Sequence, residues 1–141
     1  MRPRSIVLFE QLYLASVVVG VVNTALAMGM IEALVPADAG LRAISSTLLV
    51  GGTILSVGVS LLLWYLVARR GSNIARWVLT ALVVIGVVLG VLSGLSGSYP
   101  TGLLGALGAL NSALQVLAIW CLFRPDAAAW FGSADDADTF A

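Results

Sequence analysis

Between Trp77 and Phe123 the chain carries no charged residue. The middle of this stretch, residues 94–102, reads Gly-Leu-Ser-Gly-Ser-Tyr-Pro-Thr-Gly and contains the residue types that end helices and form turns. The hydrocarbon core of a bilayer is about 30 Å thick, so a spanning helix needs roughly 20 apolar residues. The stretch therefore predicts two antiparallel transmembrane helices joined by a turn.

Two further apolar stretches precede this pair. The four predicted spans cover approximately residues 10–34, 44–67, 74–95 and 103–123. Because 60% of the residues are hydrophobic and only 10% are charged, the composition excludes an ordinary soluble domain. We predict an all-α integral membrane four-helix bundle over residues 1–124. The tail, residues 125–141, is acidic, and Trp130 and Phe131 predict a short interfacial helix within it.

The arginines predict the orientation of the bundle. Six of the seven basic residues fall on one side of the predicted spans, namely Arg2, Arg4, Arg69, Arg70, Arg76 and Arg124. Only Arg42 falls on the other side, so the positive-inside rule places both termini in the cytoplasm. The absence of lysine beside abundant alanine, valine and glycine is typical of GC-rich bacterial genomes. We therefore expect a bacterial inner-membrane protein.

The composition also excludes much catalytic and metal chemistry. The chain has no histidine and a single cysteine, Cys121. Imidazole ligation of haem, His-based zinc sites and Ser-His-Asp or Cys-His catalysis all require histidine. We find no phosphate-binding glycine loop and no paired catalytic carboxylates, so we expect no enzymatic activity and no cofactor. The formal net charge is zero, and nucleic acid is therefore not an expected partner.

Spans one and four share the pattern Gly-x-x-Asn-(Ser/Thr)-Ala-Leu, which begins at Gly20 and at Gly108. Each asparagine, Asn23 and Asn111, falls near the middle of its span, where an unpaired amide is costly. One interpretation is a substrate or ion site built from antiparallel halves, as in transporters made of inverted repeats. The other, which we favour, is an interhelical hydrogen bond that fixes the packing of the two spans.

Other polar residues near the hydrocarbon are few. Gln11, Tyr13 and Gln115 would extend a polar track from Glu10 towards Asn23. Glu10 and Glu32 lie near opposite ends of the first span. We therefore expect these carboxylates to be hydrated or paired with an arginine, such as one of those at positions 4 and 42, and not to couple protons across the membrane.

Small residues at four-residue spacing predict faces on which helices approach closely. Such faces occur on three spans: Gly52, Ser56 and Ser60; Gly86, Gly90 and Gly94; Gly105, Ala109 and Ala113. The partner of each face is either another helix of the same chain, which we favour, or a second subunit.

Three segments carry a family resemblance: Arg2–Ser16, Arg69–Trp77 and Leu122–Phe131. They are similar to the corresponding parts of small four-span inner-membrane proteins of bacteria. The resemblance covers nearly the whole chain and concerns span boundaries, so it implies the topology and transfers no catalytic residue. The small multidrug-resistance transporters resemble this chain only in size, because their signature carboxylate lies inside the first span, where this chain has Asn23.

The sequence thus favours a non-enzymatic integral membrane protein that acts through protein or lipid contacts, as an accessory subunit of a membrane complex would. The alternative is a small oligomeric transporter or channel, with Asn23, Asn111 and Glu32 lining its path. The expected partners are membrane lipids and either a second copy or a larger membrane-protein complex. A membrane-embedded enzyme acting on lipids is disfavoured because the chain has no nucleophile and base in combination.

Overall fold

The computed structural model describes residues 3–34 and 39–138, except for the side chains of residues 31–34, 39–46, 49, 129 and 133–138. These residues form five helices and no strand: α1 (Arg4–Leu34), α2 (Ala39–Ala68), α3 (Asn73–Leu95), α4 (Gly102–Leu122) and α5 (Pro125–Asp138). Four of the helices are long and apolar enough to span a membrane, over Arg4–Met30, Val50–Ala68, Asn73–Leu95 and Gly102–Leu122. The predicted all-α four-helix architecture is confirmed.

The helix bounds differ from the predicted spans mainly in the first half of the chain. The first helix begins at Arg4, well before position 10, because glutamate is a good helix former and Glu10 does not end it. The second helix begins at Ala39, before the predicted start at position 44. Helices α3 and α4 begin and end within one residue of the prediction. The predicted turn around positions 36–40 falls partly on residues outside the described ranges.

The four long helices pack as a ring in chain order. Helix α1 contacts α2, α2 contacts α3 and α3 contacts α4, while α1 and α4 share the most extensive interface and close the ring. Short connections between consecutive helices favour this antiparallel arrangement. Between α2 and α3, Gly71 adopts a positive φ of 62° and Ser72 caps α3 by accepting a hydrogen bond from the Ala75 N–H at 3.3 Å.

The hydrophobic core lies at one end of the bundle. Its buried members come from all four long helices and include Ile6, Phe9, Val67, Leu79 and Leu122. We call this end the arginine end, because it carries arginines 4, 69, 70, 76 and 124. The buried residues of α3 are Ala75, Leu79 and Val83, all in its first half. The bundle is therefore tight at the arginine end and looser beyond it.

Helix α5 folds back onto the arginine end. Ala127 and Phe131 are buried, and the Trp130 indole N–H donates a hydrogen bond to the Val67 carbonyl oxygen at 3.3 Å. The aromatic pair predicted to anchor this helix in the membrane interface thus contacts the protein itself. The helix is also longer than the short segment that the sequence indicated, since it continues to Asp138.

A carboxylate of α5 caps the first helix. The Ser5 backbone N–H donates to Asp126 Oδ2 at 3.2 Å, so the tail satisfies one of the free N–H groups at the start of α1. Desolvation by itself would raise the pKa of Asp126, but hydrogen bonds from Ser5 and from its own backbone, together with the charge of Arg124, outweigh desolvation and hold the pKa below its ordinary value. The ionised form of Asp126 therefore favours the docked position of α5.

Candidate functional site

The two asparagines of the repeat lie in the interface between α1 and α4. A Cβ atom built on Gly20 would be 3.7 Å from Asn111 Oδ1, and one built on Gly108 would be 3.9 Å from Asn23 Nδ2. Each amide therefore lies over the glycine of the opposite helix. Because glycine has no side chain, the two helices approach closely enough for each amide to fill the space beside it.

The hydroxyl residue that follows each asparagine makes the same hydrogen bond in both copies of the repeat. Thr24 Oγ1 donates to the Gly20 carbonyl at 2.9 Å, and Ser112 Oγ donates to the Gly108 carbonyl at 3.1 Å. Neither asparagine side-chain oxygen has a hydrogen-bond partner among the described residues, although both oxygens are buried. The repeat thus lies at the helix–helix contact that we favoured, but these oxygens do not form the expected interhelical hydrogen bond.

A polar cavity of about 130 Å³ lies between α1, α2 and α4. Its polar lining residues are Ser16, Thr24, Thr53, Ser60, Asn111 and Gln115. Of the predicted polar set, the structure therefore brings Asn111 and Gln115 together. Asn23 is not among the lining residues, and the side chain of Glu32 lies outside the described part of the chain.

A second cavity of about 100 Å³ adjoins the first and shares Ser60 and Gln115 with it. It reaches Tyr13, whose hydroxyl interacts with the Ser60 side chain. From Tyr13 to Thr24 the two cavities extend roughly 16 Å along α1, at about 1.5 Å per helical residue. Tyr13 itself belongs to the buried core at the arginine end.

The polar track does not continue to Glu10 as the sequence suggested. Gln11 is exposed, and Glu10 forms an ion pair with Arg69, with Oε1 and the guanidinium Nη2 3.2 Å apart. Pairing of Glu10 with an arginine was expected, but the partner comes from the end of α2 and not from the N-terminal segment.

A larger cleft of about 360 Å³ lies between α3 and α4. It is lined by Val87, Gly90, Val91 and Gly94 of α3, by Tyr99 of the connection, and by Ala109 and Ser112 of α4. The Tyr99 hydroxyl donates to the Gly105 carbonyl at 3.4 Å, and the Ser112 hydroxyl is bonded within α4 as described above. The cleft therefore presents mostly apolar groups.

The small-residue faces predicted to pack together lie across this cleft without touching. Apart from the neighbouring residues and backbone of α3 itself, no described atom lies within 4 Å of a Cβ built on Gly86, Gly90 or Gly94. On α2, Gly52 likewise has open space around it, and Ser56 is exposed. At these positions the glycines do not contact another helix of the same chain, which was the alternative that we favoured.

The connection between α3 and α4 explains why the two helices separate. A Cβ on Gly105 would overlap the carbonyl oxygen of Pro100, and a Cβ on Gly108 would lie 2.7 Å from the Tyr99 hydroxyl. Gly105 and Gly108 therefore pack against Pro100 and Tyr99 of the connection, which occupy the space that α3 would need to pack at the start of α4. The sequence marked residues 94–102 only as a turn and missed Tyr99 as a packing residue.

Two further features escaped the sequence analysis. Ser60 was assigned to a packing face, yet it joins the two polar cavities. At the arginine end, the Arg76 guanidinium lies 4.1 Å from the ring centre of Phe123 and 5.0 Å from that of Phe131. Arginine over aromatic faces is a stabilising arrangement that fastens α5 to α3 and α4. Only the three-dimensional approach of distant segments reveals either feature.

The described residues contain no cluster of three or more His, Cys, Asp or Glu side chains, and Cys121 is buried. No family model, curated protein or solved structure matches the chain. Among the described residues, the α3/α4 cleft and the two adjoining polar cavities offer space for another molecule.

Proposed function

We propose that this chain is a non-enzymatic integral membrane protein that acts by holding an apolar partner in the cleft between α3 and α4. The observation that carries the proposal is the 360 Å³ of space bounded by Gly90, Gly94 and Ala109. Small residues on both walls let a neighbouring group approach the two backbones closely.

The mostly apolar lining of the cleft indicates an apolar partner. Its hydroxyl groups are already bonded within the chain, so a polar ligand would gain few hydrogen bonds there. The apolar atoms that line an empty space lack dispersion contacts on that side, and an apolar group that fills the space supplies those contacts. An acyl chain of a lipid or an apolar side chain of another membrane protein meets this requirement. The latter would make the chain an accessory subunit.

The proposed setting is the bacterial inner membrane, with the arginine end and α5 in the cytoplasm. The gathering of five described arginines at one end of the bundle supports this orientation through the positive-inside rule. The composition, with seven arginines, no lysine and abundant alanine, valine and glycine, supports a bacterial source.

Native mass spectrometry of the protein extracted from its own membranes in mild detergent tests the proposal. We expect a defined additional mass, either a lipid or a stoichiometric protein, on the wild type. The Gly90→Leu variant fills the cleft and should lose that mass. The matched control is Gly29→Leu, which makes the same change at an exposed glycine of α1 with no described atom within 4 Å, and it should retain the mass. Equal binding by both variants would refute the proposal.

The polar cavity favours a second candidate, a small oligomeric transporter or channel. Its support is the alignment of Tyr13, Ser60, Gln115 and Asn111 along two adjoining cavities. Flux measured in proteoliposomes should then be abolished by Asn111→Leu, which removes a lining amide. If purified wild-type protein shows no flux above empty liposomes for any tested ion or solute, this candidate fails.

A further inference from the structure

We propose that the arginine end binds the phosphate of an anionic phospholipid beside α3 and α4, with Arg76 as the hydrogen-bond donor and Arg124 as a second positive charge. This site borders the membrane leaflet next to the arginine end. The α3/α4 cleft lies toward the other end of the bundle, since Gly90 is roughly 21 Å from Arg76 along α3, at about 1.5 Å per residue. The inference therefore does not depend on the proposed function.

Aromatic rings surround the guanidinium of Arg76. Its Cζ lies 4.1 Å from the ring centre of Phe123, 5.0 Å from that of Phe131 and 5.9 Å from that of Trp77. Such rings attract a cation through their faces and leave the N–H groups of a guanidinium available for hydrogen bonds. The protein thus fixes the position of this cation without using its donors.

The donors of Arg76 lack acceptors within the protein. Its Nε is buried without a hydrogen-bond partner, whereas Nη1 and Nη2 donate no hydrogen bond within the described part of the chain and reach the surface. Nor does Arg76 form an ion pair with any described side chain. An arginine fork matches the geometry of phosphate oxygens, so a phosphate at the surface would supply Nη1 and Nη2 with both acceptors and a counter-charge.

Arg124 adds positive charge to the same surface. Its Cζ lies 5.2 Å from the ring centre of Trp120. Because Trp120 and Phe123 are three residues apart at the end of α4, the two rings that hold Arg124 and Arg76 are neighbours.

The acidic side chain near this pair is that of Asp126. It interacts with the charge of Arg124, and its Oδ2 accepts the hydrogen bond from the start of α1. Two guanidinium groups beside one carboxylate leave a net positive charge, which favours an anionic ligand.

The position of the site favours a lipid as the source of the phosphate. Trp77 is 57% exposed and Trp120 is 61% exposed, and the ring of Trp77 packs edge-on against Phe123. Exposed tryptophans at the ends of spans are enriched at the level of the lipid headgroups. Basic pockets between transmembrane helices at this level bind anionic headgroups. The acyl chains of such a lipid would contact the exposed apolar side chains of α3 and α4.

Native mass spectrometry of the delipidated full chain in detergent tests the assignment. The probes are phosphatidylglycerol and phosphatidylcholine with identical acyl chains, so that only the headgroup differs. We expect phosphatidylglycerol to bind about fivefold more tightly, because no choline offsets the charge of its phosphate. Gly90→Leu should leave this preference unchanged, which separates the site from the α3/α4 cleft. Excess inorganic phosphate should not displace the lipid.

Substitution of the arginines locates the site. Arg76→Gln should weaken phosphatidylglycerol binding about tenfold, because it removes a charged hydrogen-bond donor. Arg76→Lys keeps the charge but loses the planar fork, so its affinity should be intermediate.

The matched control is Arg70→Gln, which removes the same charge from an exposed residue of the α2–α3 connection. It should change the affinity by less than about twofold, because solvent and salt screen exposed charges at a distance. If Arg76→Gln fails to fold without its ring contacts, Arg124→Gln tests the same site at an exposed residue. That variant should weaken binding about fivefold.

Three results would overturn the assignment. Equal affinity for the two lipids would show that the headgroup is not recognised. An equal loss of affinity in Arg70→Gln and Arg124→Gln would show a general effect of charge at the arginine end. Displacement of phosphatidylglycerol by inorganic phosphate would assign the arginines to a soluble anion.

Discussion

The same glycine-to-alanine substitution should change the stability of this bundle in opposite directions at two positions. At Gly105, an added Cβ would overlap the carbonyl oxygen of Pro100. That oxygen belongs to the backbone of the α3–α4 connection, so relief requires the connection to move. At Gly90, no described atom outside its own stretch of helix lies within 4 Å of the added Cβ, although Gly90 lies only five residues before α3 ends at Leu95.

The magnitudes follow from two opposing effects. Alanine in a helix interior is favoured over glycine by about 0.5–1 kcal/mol, because it loses less backbone entropy. Overpacking costs about 1–3 kcal/mol, and its upper range applies where backbone must shift. Gly105→Ala should therefore destabilise the bundle by about 2 kcal/mol, and Gly90→Ala should stabilise the isolated monomer by up to about 1 kcal/mol. A difference of about 3 kcal/mol corresponds to roughly 10 °C in Tm for a chain of this size.

The assay is thermal unfolding of lipid-stripped monomer in detergent, followed by circular dichroism. Gly29→Ala is the control, since Gly29 also has open space around it and should behave like Gly90. A Gly105→Ala variant as stable as wild type would refute the contact between Pro100 and α4. A Gly90→Ala monomer destabilised as much as Gly105→Ala would refute the open cleft.

Three further predictions concern the arginine end. The folded-state pKa of Asp126 is lowered, so its contribution to stability is complete above its unfolded-state pKa and is lost as pH falls through the folded-state value. On acidification, the Tm of the wild type should therefore fall more than the Tm of Asp126→Asn. Phe131→Ala should destabilise the fold by about 3–5 kcal/mol, since this ring is 3% exposed, and should make α5 sensitive to protease; a protected α5 would contradict its docking. Glu10→Gln should change the free energy of unfolding by only about 0–1 kcal/mol, because Arg69 is 44% exposed in their ion pair; a larger loss measured in denaturant would contradict this.

The architecture was predictable because charge and hydrophobicity alone define membrane spans. The end of α3 and both bounds of α4 follow from residues that interrupt apolar runs, namely the turn at 94–102 and the arginine at position 124. The start of α1 was placed too late, because the charge of Glu10 was taken as the edge of the apolar span, although glutamate is a good helix former and α1 begins at Arg4. The pairing of Glu10 with Arg69 depends on the fold and has no local sequence signal.

The candidate sites were only partly predictable, since sequence patterns show which residues share a face but not how far apart two faces lie. The repeat suggested that Asn23 and Asn111 face each other's helix, and both side chains lie in the α1/α4 interface. Its spacing could not show that each amide would lie over the other helix's glycine, with only Asn111 lining the polar cavity. Likewise, the glycines of α3 suggested close packing, whereas Tyr99 of the connection packs against α4 and a cleft separates α3 from α4.

Photo-cross-linking from the cleft tests the central claim most directly. A benzophenone amino acid in place of Tyr99 would sit in the wall of the cleft, and one in place of Leu95, which is 81% exposed, provides the control for general lipid contact. In native membranes, irradiation should give one defined adduct at position 99, with either a lipid or a protein. Gly90→Leu should abolish this adduct, and position 95 should not form it. Identical, heterogeneous lipid adducts from both positions, unaffected by Gly90→Leu, would contradict the claim that the cleft holds a specific partner.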